Sequence, residues 1–540
     1  MTQRRNYTKR VIEHRDFSGG EFGRKEAWNA PANSFTATNM LVYRTGELGV
    51  RPGLRNVSPT GLVAGQVWSL NRDSTANSSV NVVFGQGTNL KTFQPSSTGT
   101  GFLTTVGGAL TATPTAMVDV VWTGTALYLV TNNSGAYQYT GGAISALTGS
   151  PNGNSIALFG DRLVIARSTA PVNNIVYNGL TAGVSDFNSW PAANTIPVGD
   201  IATVYKLMTQ RGHLALMKQY NGHYILTGQL GVSEALRQAV TNPVAPDPYQ
   251  GMGKSQDGIL WFVDVSGKSA HPVSFDGTTL RVYDHLDLKN AGVSVLSTLS
   301  QASNAIGFAS DDDHGVLLHG RTDGSGVNQT LLFSNGIWTK HSFGPTFNVA
   351  QGTCLPYQYQ QTPGDGTTLR STDTFVLSDG GSGAVAPKFY GWTPRMDRPG
   401  SETALNNGSP ERAGDDSSAQ VTGSVEFPEV HLETGTEMMV REITIDFRSW
   451  NTGGSLTNHF DVEIECLRTY NSTTRISLKN SWDEAGSLSS AAGTLKRISF
   501  MFGDQGVGNG YQVKFTNCRG IALQRYQVVL ETDHYGIRGT

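Results

Sequence analysis

Between about residues 61 and 420, short apolar strands alternate with turns rich in Gly, Asn and Asp. Val118-Asp119-Val120-Val121-Trp122 leads through Thr123-Gly124-Thr125 into Ala126-Leu127-Tyr128-Leu129-Val130. Ile156-Ala157-Leu158-Phe159, Gly160-Asp161 and Arg162-Leu163-Val164-Ile165-Ala166 repeat the arrangement. Further copies start near Gln66, His213, Gly258, Gly315 and Thr374. Their starts lie roughly 40 to 60 residues apart, the length of a four-stranded blade with variable loops. Asn221-Gly222 and Asn335-Gly336, and likewise Asp276-Gly277, sit between apolar residues. These pairs predict tight hairpins, because a type I′ turn needs positive φ twice. A sandwich also uses hairpins, but it has no need of seven similar modules in series. The pattern predicts an all-β chain with a β-propeller of six or seven blades over residues 61–400.

Residues 401–420 carry almost no apolar side chains and read as a linker. Beyond them the period becomes a clean two. Glu442-Ile443-Thr444-Ile445-Asp446-Phe447 alternates, and Phe460, Val462, Ile464 and Cys466 alternate with Asp461, Glu463 and Glu465. Ile498, Phe500 and Phe502 follow, then Tyr511, Val513 and Phe515, and finally Gln524 to Leu530. About five longer strands with one apolar face predict a β-sandwich over 421–540. Residues 1–60 then form an N-terminal arm and docking segment, packed with the sandwich as a platform.

Composition sharpens this picture. Only 15% of residues are charged, where about 25% is usual, and 64 are glycine. Glycine weakens helices and serves turns, which agrees with many short strands. A net charge of −3 supplies no basic field for binding duplex DNA. Cys354, Cys466 and Cys518 lie far apart and form no CxxC pair, so they read as reduced thiols of a protein assembled in a cytoplasm. The basic start has no apolar run behind it and is not a secretory signal, and no stretch is long enough to span a membrane as a helix.

Several patterns imitate chemistry. Gly253-Lys254-Ser255 and Gly267-Lys268-Ser269 lack the earlier glycine of a phosphate-binding loop, since Pro248 and Phe262 occupy its place. Gly380-Gly381-Ser382-Gly383 runs into Ala384 and makes no nucleophile elbow. His314 and His319 fall on opposite faces of a strand, the wrong arrangement for one metal. Asp311-Asp312-Asp313 lacks the alternate spacing of a calcium loop and reads as a solvated turn. Ser255 to Trp261 is similar to the Asp-box of sialidase-type propellers, itself a folding motif. Arg4, Arg5, Lys9, Arg10 and Arg15 read as a disordered arm or subunit dock. No catalytic, cofactor or metal residue is expected.

The first 57 residues carry the most specific signal. They read Phe17-Ser18-Gly19-Gly20-Glu21-Phe22-Gly23-Arg24, then Asn39-Met40-Leu41-Val42, then Gly46-Glu47-Leu48-Gly49-Val50-Arg51-Pro52-Gly53. This resembles the opening of the podophage tail nozzle family, also called tail tubular protein B. The resemblance implies a non-enzymatic virion protein at the tip of a short bacteriophage tail. It implies a ring, in that family a hexamer, which contacts a tail adaptor and tail fibres and passes genomic DNA without reading it. Phe17, Gly19, Gly20, Glu21, Arg24, Arg51, Pro52 and Gly53 become candidates for an inter-subunit or adaptor interface. On the residues alone, Arg51-Pro52-Gly53 is a plain turn ending a hairpin. The alternatives are a receptor-binding tail spike or polysaccharide-degrading propeller, which would need paired carboxylates on a cleft, and a sugar-binding adhesin.

Overall fold

In the computed structural model, the described residues are 7–21, 33–43, 46–51, 53–73, 75, 81–95, 103–115, 118–210, 212–218, 222–240, 253–254, 259–264, 271–284, 306–310, 313–319, 330–334, 336–343, 349–360, 369–392, 421–431, 436–449, 458–467, 475–484, 494–503 and 507–534. The expected linker, 401–420, lies outside them. Among the described residues every regular element is a strand, and no helix is long and apolar enough to cross a membrane.

The chain opens with β1 (Tyr7–His14), β2 (Gly20–Glu21), β3 (Ser34–Thr38), β4 (Met40–Val42), β5 (Leu48–Val50) and β6 (Arg55–Asn56). Seven blades follow. Blade 1 is β7 (Val67–Asp73), β8 (Asn81–Gln86), β9 (Asn89–Phe93) and β10 (Thr104–Thr105). Blade 2 is β11 (Asp119–Trp122), β12 (Leu127–Thr131), β13 (Gly135–Tyr139) and β14 (Ile144–Ala146). Blade 3 is β15 (Gly153–Phe159), β16 (Arg162–Arg167), β17 (Asn174–Tyr177) and β20 (Thr195–Pro197), with the hairpin β18 (Gly179–Thr181) and β19 (Val184–Asp186) inserted before its last strand. Blade 4 is β21 (Val204–Gln210), β22 (His213–Lys218), β23 (His223–Thr227) and β24 (Ala235–Val240). Blade 5 is β25 (Gly253–Lys254), β26 (Leu260–Asp264), β27 (His271–Phe275) and β28 (Leu280–Val282). Blade 6 is β29 (Ile306–Ser310), β30 (Asp313–His319), β31 (Thr330–Ser334) and β32 (Ile337–His341).

Blade 7 takes three strands from the end of the series, β33 (Gln351–Gln360), β34 (Leu369–Ser378) and β35 (Phe389–Trp392), and its fourth from the beginning, β6. Asn56 pairs with Tyr390 and Arg55 with Gly391, so strands from both ends of the series complete one sheet. The Gln351 side chain donates to the Val67 carbonyl and ties blade 7 to blade 1. The expected modules fall one to a blade, on the first strand in blades 1 to 3 and on the second in blades 4 to 7. Strands such as β12 are buried along their whole length, because blades pack face to face and cover both sides of the sheet.

The last part supplies β36 (Gly423–Glu426), β37 (Val430–His431), β38 (Thr436–Ser449), β39 (Asn458–Leu467), β40 (Arg475–Glu484), β41 (Thr494–Met501), β42 (Val507–Gly508), β43 (Gly510–Arg519) and β44 (Ile521–His534). They form two sheets that the N-terminal strands complete. One runs β4-β5-β44-β38-β41, with β1 also on β44 and β42 on β38; the other runs β2-β3-β36-β43-β39-β40, with β37 on β43. The basic start is therefore no disordered arm from Tyr7 onward, since β1 pairs with β44 along eight residues without a register shift. The physical reason is apolar. Ile12 packs on the core that Val528, Ile443 and Phe500 share. Along β39 the burial alternates as the sequence does, with Phe460, Val462, Ile464 and Cys466 all inward.

Candidate functional site: the joint between sandwich and propeller

The three N-terminal elements singled out above converge on β32 of blade 6. Asn39 stands between β3 and β4 with φ of 59°, a left-handed conformation that Asn tolerates better than most side chains. Its amide donates to the Lys340 carbonyl at 2.9 Å, and its carbonyl accepts the Arg51 amide at 2.9 Å. The side-chain oxygen accepts Arg51 Nε at 3.0 Å and the Ser342 amide at 2.8 Å. Its Nδ2 donates to the Thr422 carbonyl at 3.1 Å. One side chain thus fastens the hairpin, the propeller and the start of the C-terminal sheets.

Arg51 is only 1% exposed. Its Nη2 donates to the Ser342 carbonyl at 2.7 Å, and the guanidinium lies 4.8 Å from the Phe343 ring centre. His341 is buried close by and bonds Thr339 Oγ1 at 2.8 Å. Burial, and then the Arg51 charge, hold the His341 pKa well below the usual histidine range, so the imidazole is neutral beside the cation. Leu41, Tyr43 and Ala522 from the sandwich side pack with Leu332, Phe343, Phe375, Tyr390 and Trp392 of the propeller into one core. Fully burying one such aromatic contributes roughly 1.5–3 kcal/mol.

The glycines explain the close approach. Gly20 has φ of 68°, and a Cβ there would stand 2.9 Å from Ile337 Cγ2 and 3.1 Å from the Trp338 backbone. A Cβ on Gly19 would meet the Ser34 amide at 2.6 Å, and one on Gly49 would enter the Tyr43 ring. Glu47, 3% exposed, accepts Arg448 Nη2 at 3.1 Å and Gln524 Nε2 at 2.6 Å. That anchors the β4–β5 turn to β38 and β44.

Within the chain, part of the residues expected at an interface have partners of their own. Phe17, Arg51 and Gly53 are buried within the chain, and Gly19 and Gly20 face its own backbone. Their constraint is internal, between two parts of one chain, because a buried side chain with intrachain partners offers little to a neighbour. Arg24 and Pro52 lie outside the described residues, as does the Glu21 side chain. Of the other sequence patterns, Ser255, Asp311, Asp312 and the 267–269 triplet also lie outside, as do the side chains of His314, His319 and Cys354. Among the described residues, no group of three or more His, Cys, Asp and Glu side chains is arranged to hold a metal. Burial pushes the Cys466 thiol up to about 12 and raises that of Cys518, which makes both poor nucleophiles.

Sequence reasoning missed the polar ties between inner strands. Asp119 on β11 bonds Ser155 Oγ and the Ile156 amide on β15, and accepts Lys206 Nζ from β21 at 2.7 Å. Three consecutive blades are joined at one carboxylate. Lys218, fully buried, donates to the Val198 carbonyl at 2.7 Å and to Asp200. Only the alternation-breaking Asp119 inside an apolar run could have signalled the first of these.

No family model matches this chain, and no curated protein matches it. Solved structures do. The N-terminal domain of Nup159 aligns over 64% of this chain and 95% of its own, at 10% identity and TM-score 0.38. YCF48 from Cyanidioschyzon merolae aligns over 64% and 100%, at 12% identity and TM-score 0.36. A mutant of AofleA from Arthrobotrys oligospora aligns over 59% and 93%, at 12% identity and TM-score 0.32. These neighbours are β-propellers. Scores this low carry nothing about function, and the propeller assignment rests on this chain's own seven blades.

Proposed function

We propose that this chain is a structural subunit of a short bacteriophage tail, the nozzle through which the genome leaves the virion. The observation that supports it is the joint. Phe17-Ser18-Gly19-Gly20-Glu21, Asn39 to Val42 and Gly46 to Gly53 are the segments that resemble the nozzle family, and they meet where the sandwich grips the propeller. A conduit under the pressure of packed DNA needs two rigid bodies that do not hinge apart, and a buried joint crossed by the Asn39 and Arg51 hydrogen bonds supplies that rigidity.

In this reading copies close into a ring, six as in the family it resembles, under a tail adaptor and beside tail fibres. The work is mechanical and non-enzymatic. DNA slides where phosphate is weakly attracted, and a chain with a net charge of −3 and only 15% charged residues suits such a lumen. The protein is assembled in the host cytoplasm and ends at the virion's tail tip. Negative-stain images of the purified protein, alone and mixed with its adaptor, test the reading: rings with a central channel are expected. A strict monomer that never joins an adaptor ring would overturn it.

A further inference from the structure

One sandwich sheet has two open ends. Its path β1-β44-β38-β41 is antiparallel at every step. Among the described residues nothing pairs with the outer side of β1 or of β41. Both are eight residues long and meet their inner neighbour without a register shift. A regular edge of that length offers a row of unpaired backbone groups, and proteins otherwise blunt such edges with bulges or proline. Three large apolar side chains are exposed on these two strands: Val11 at 53%, Leu495 at 58% and Met501 at 74%.

We propose that copies of this chain join edge to edge, β1 of one copy pairing antiparallel with β41 of the next, so that one sheet runs on from subunit to subunit. The inference rests on the reading of the chain as a ring subunit, and it adds where the copies meet. Parity permits it. Four strands in strict alternation leave β1 and β41 running in opposite directions, so adding a copy in the same orientation continues the antiparallel order.

Charge and burial select the register. The outward ion pairs Glu13–Arg525, Arg525–Asp446 and Asp446–Arg497 cross the sheet as one alternating chain. It ends in a carboxylate at the β1 edge and a guanidinium, 61% exposed, at the β41 edge. On the inner face, Ile12 and Ile498 are the half-buried apolar residues at the two rims of the core. Antiparallel strands that set Ile12 opposite Ile498 also set Glu13 opposite Arg497. A single register therefore closes the core across the junction and joins the ends of the ion-pair chain. The two edges are unlike, so the contact is head to tail, which closes into a ring when the rotation allows.

The same register puts Val11 opposite Ser499, both outward. The test uses V11C and S499C as single variants of the full chain, oxidised separately and as a mixture, with light scattering to follow mass. The mixture is expected to form a covalent dimer that neither variant forms alone, and the doubly substituted chain a ladder of multiples of 57.8 kDa. Assembly in light scattering without a cross-link in the mixture overturns the edge pairing and leaves the ring reading standing. Cross-linking by V11C alone also overturns it, since that contact would be symmetric. Absence of any assembly, alone or on the adaptor, overturns both.

Discussion

Asn39 and Arg51 face each other across the β4–β5 hairpin, and the Asn39 side-chain oxygen holds the Arg51 guanidinium at 3.0 Å while it also accepts the Ser342 amide. The pair converts a hairpin into a clasp. Removing the Asn39 side chain takes one hydrogen-bond acceptor from the buried Arg51 and from the Ser342 amide.

Replacing Asn39 with Ala should therefore destabilise the protein by about 2–4 kcal/mol, combining a lost bond to a charged group with the left-handed backbone of a non-glycine residue. Asn39→Gly keeps the backbone relaxed and loses only the bonds, so its effect should be smaller by about 1 kcal/mol. Denaturant midpoints at constant m-value would show the order. Equal effects would mean the left-handed backbone carries no penalty, and an Asn39→Gly variant as stable as the parent would mean the side chain carries no bond of consequence.

Gly20 and Gly46 share positive φ, 68° and 81°, but differ in surroundings. A Cβ at Gly46 meets nothing within 4 Å, whereas one at Gly20 presses on Ile337 and the Trp338 backbone. G46A should lower stability by about 1 kcal/mol for the backbone alone, and G20A by about 2–4 kcal/mol because strain and overpacking add. Thermal melts of both variants distinguish the two cases.

His223 is buried against Phe275, at 5.6 Å, and Phe262, at 6.4 Å, and neither ring nitrogen has a hydrogen-bond partner. Burial lowers its pKa to about 4. The unfolded chain takes up the proton near pH 6.5 and the folded chain does not, so stability falls as pH drops from about 6.5 to about 4, by about 3 kcal/mol at this site. Above that window the contribution is constant. H223F should flatten the slope of unfolding free energy between pH 6.5 and 4, with the carboxylate-dependent loss below pH 4 unchanged; an unaltered slope would show that the imidazole already protonates while folded.

Deleting residues 1–60 removes the fourth strand of blade 7 and strands from both sandwich sheets. The expected result is loss of a cooperative melt in calorimetry for the whole chain, and not the clean trimming of an appendage. A truncated protein that still melts as one sharp transition near the parent temperature would show that the propeller closes without β6.

The seven serial modules and the period-two strands near the C-terminus were legible in the chain itself. So were the turns at Gly222, Gly277 and Gly336, all of which have positive φ. Periodicity reports local dihedrals and which face is apolar, and those are properties of neighbours in sequence. What only tertiary structure decided is partnership at long range. β6 is two residues with no pattern, yet it completes blade 7 because β35 has an unpaired edge there. Arg51 reads as a solvated charge at a turn, yet it is buried because Asn39, Ser342 and Phe343 are brought round it by a fold more than 290 residues deep. Backbone hydrogen bonds and aromatic faces are generic, so no residue type announces which distant strand it will meet.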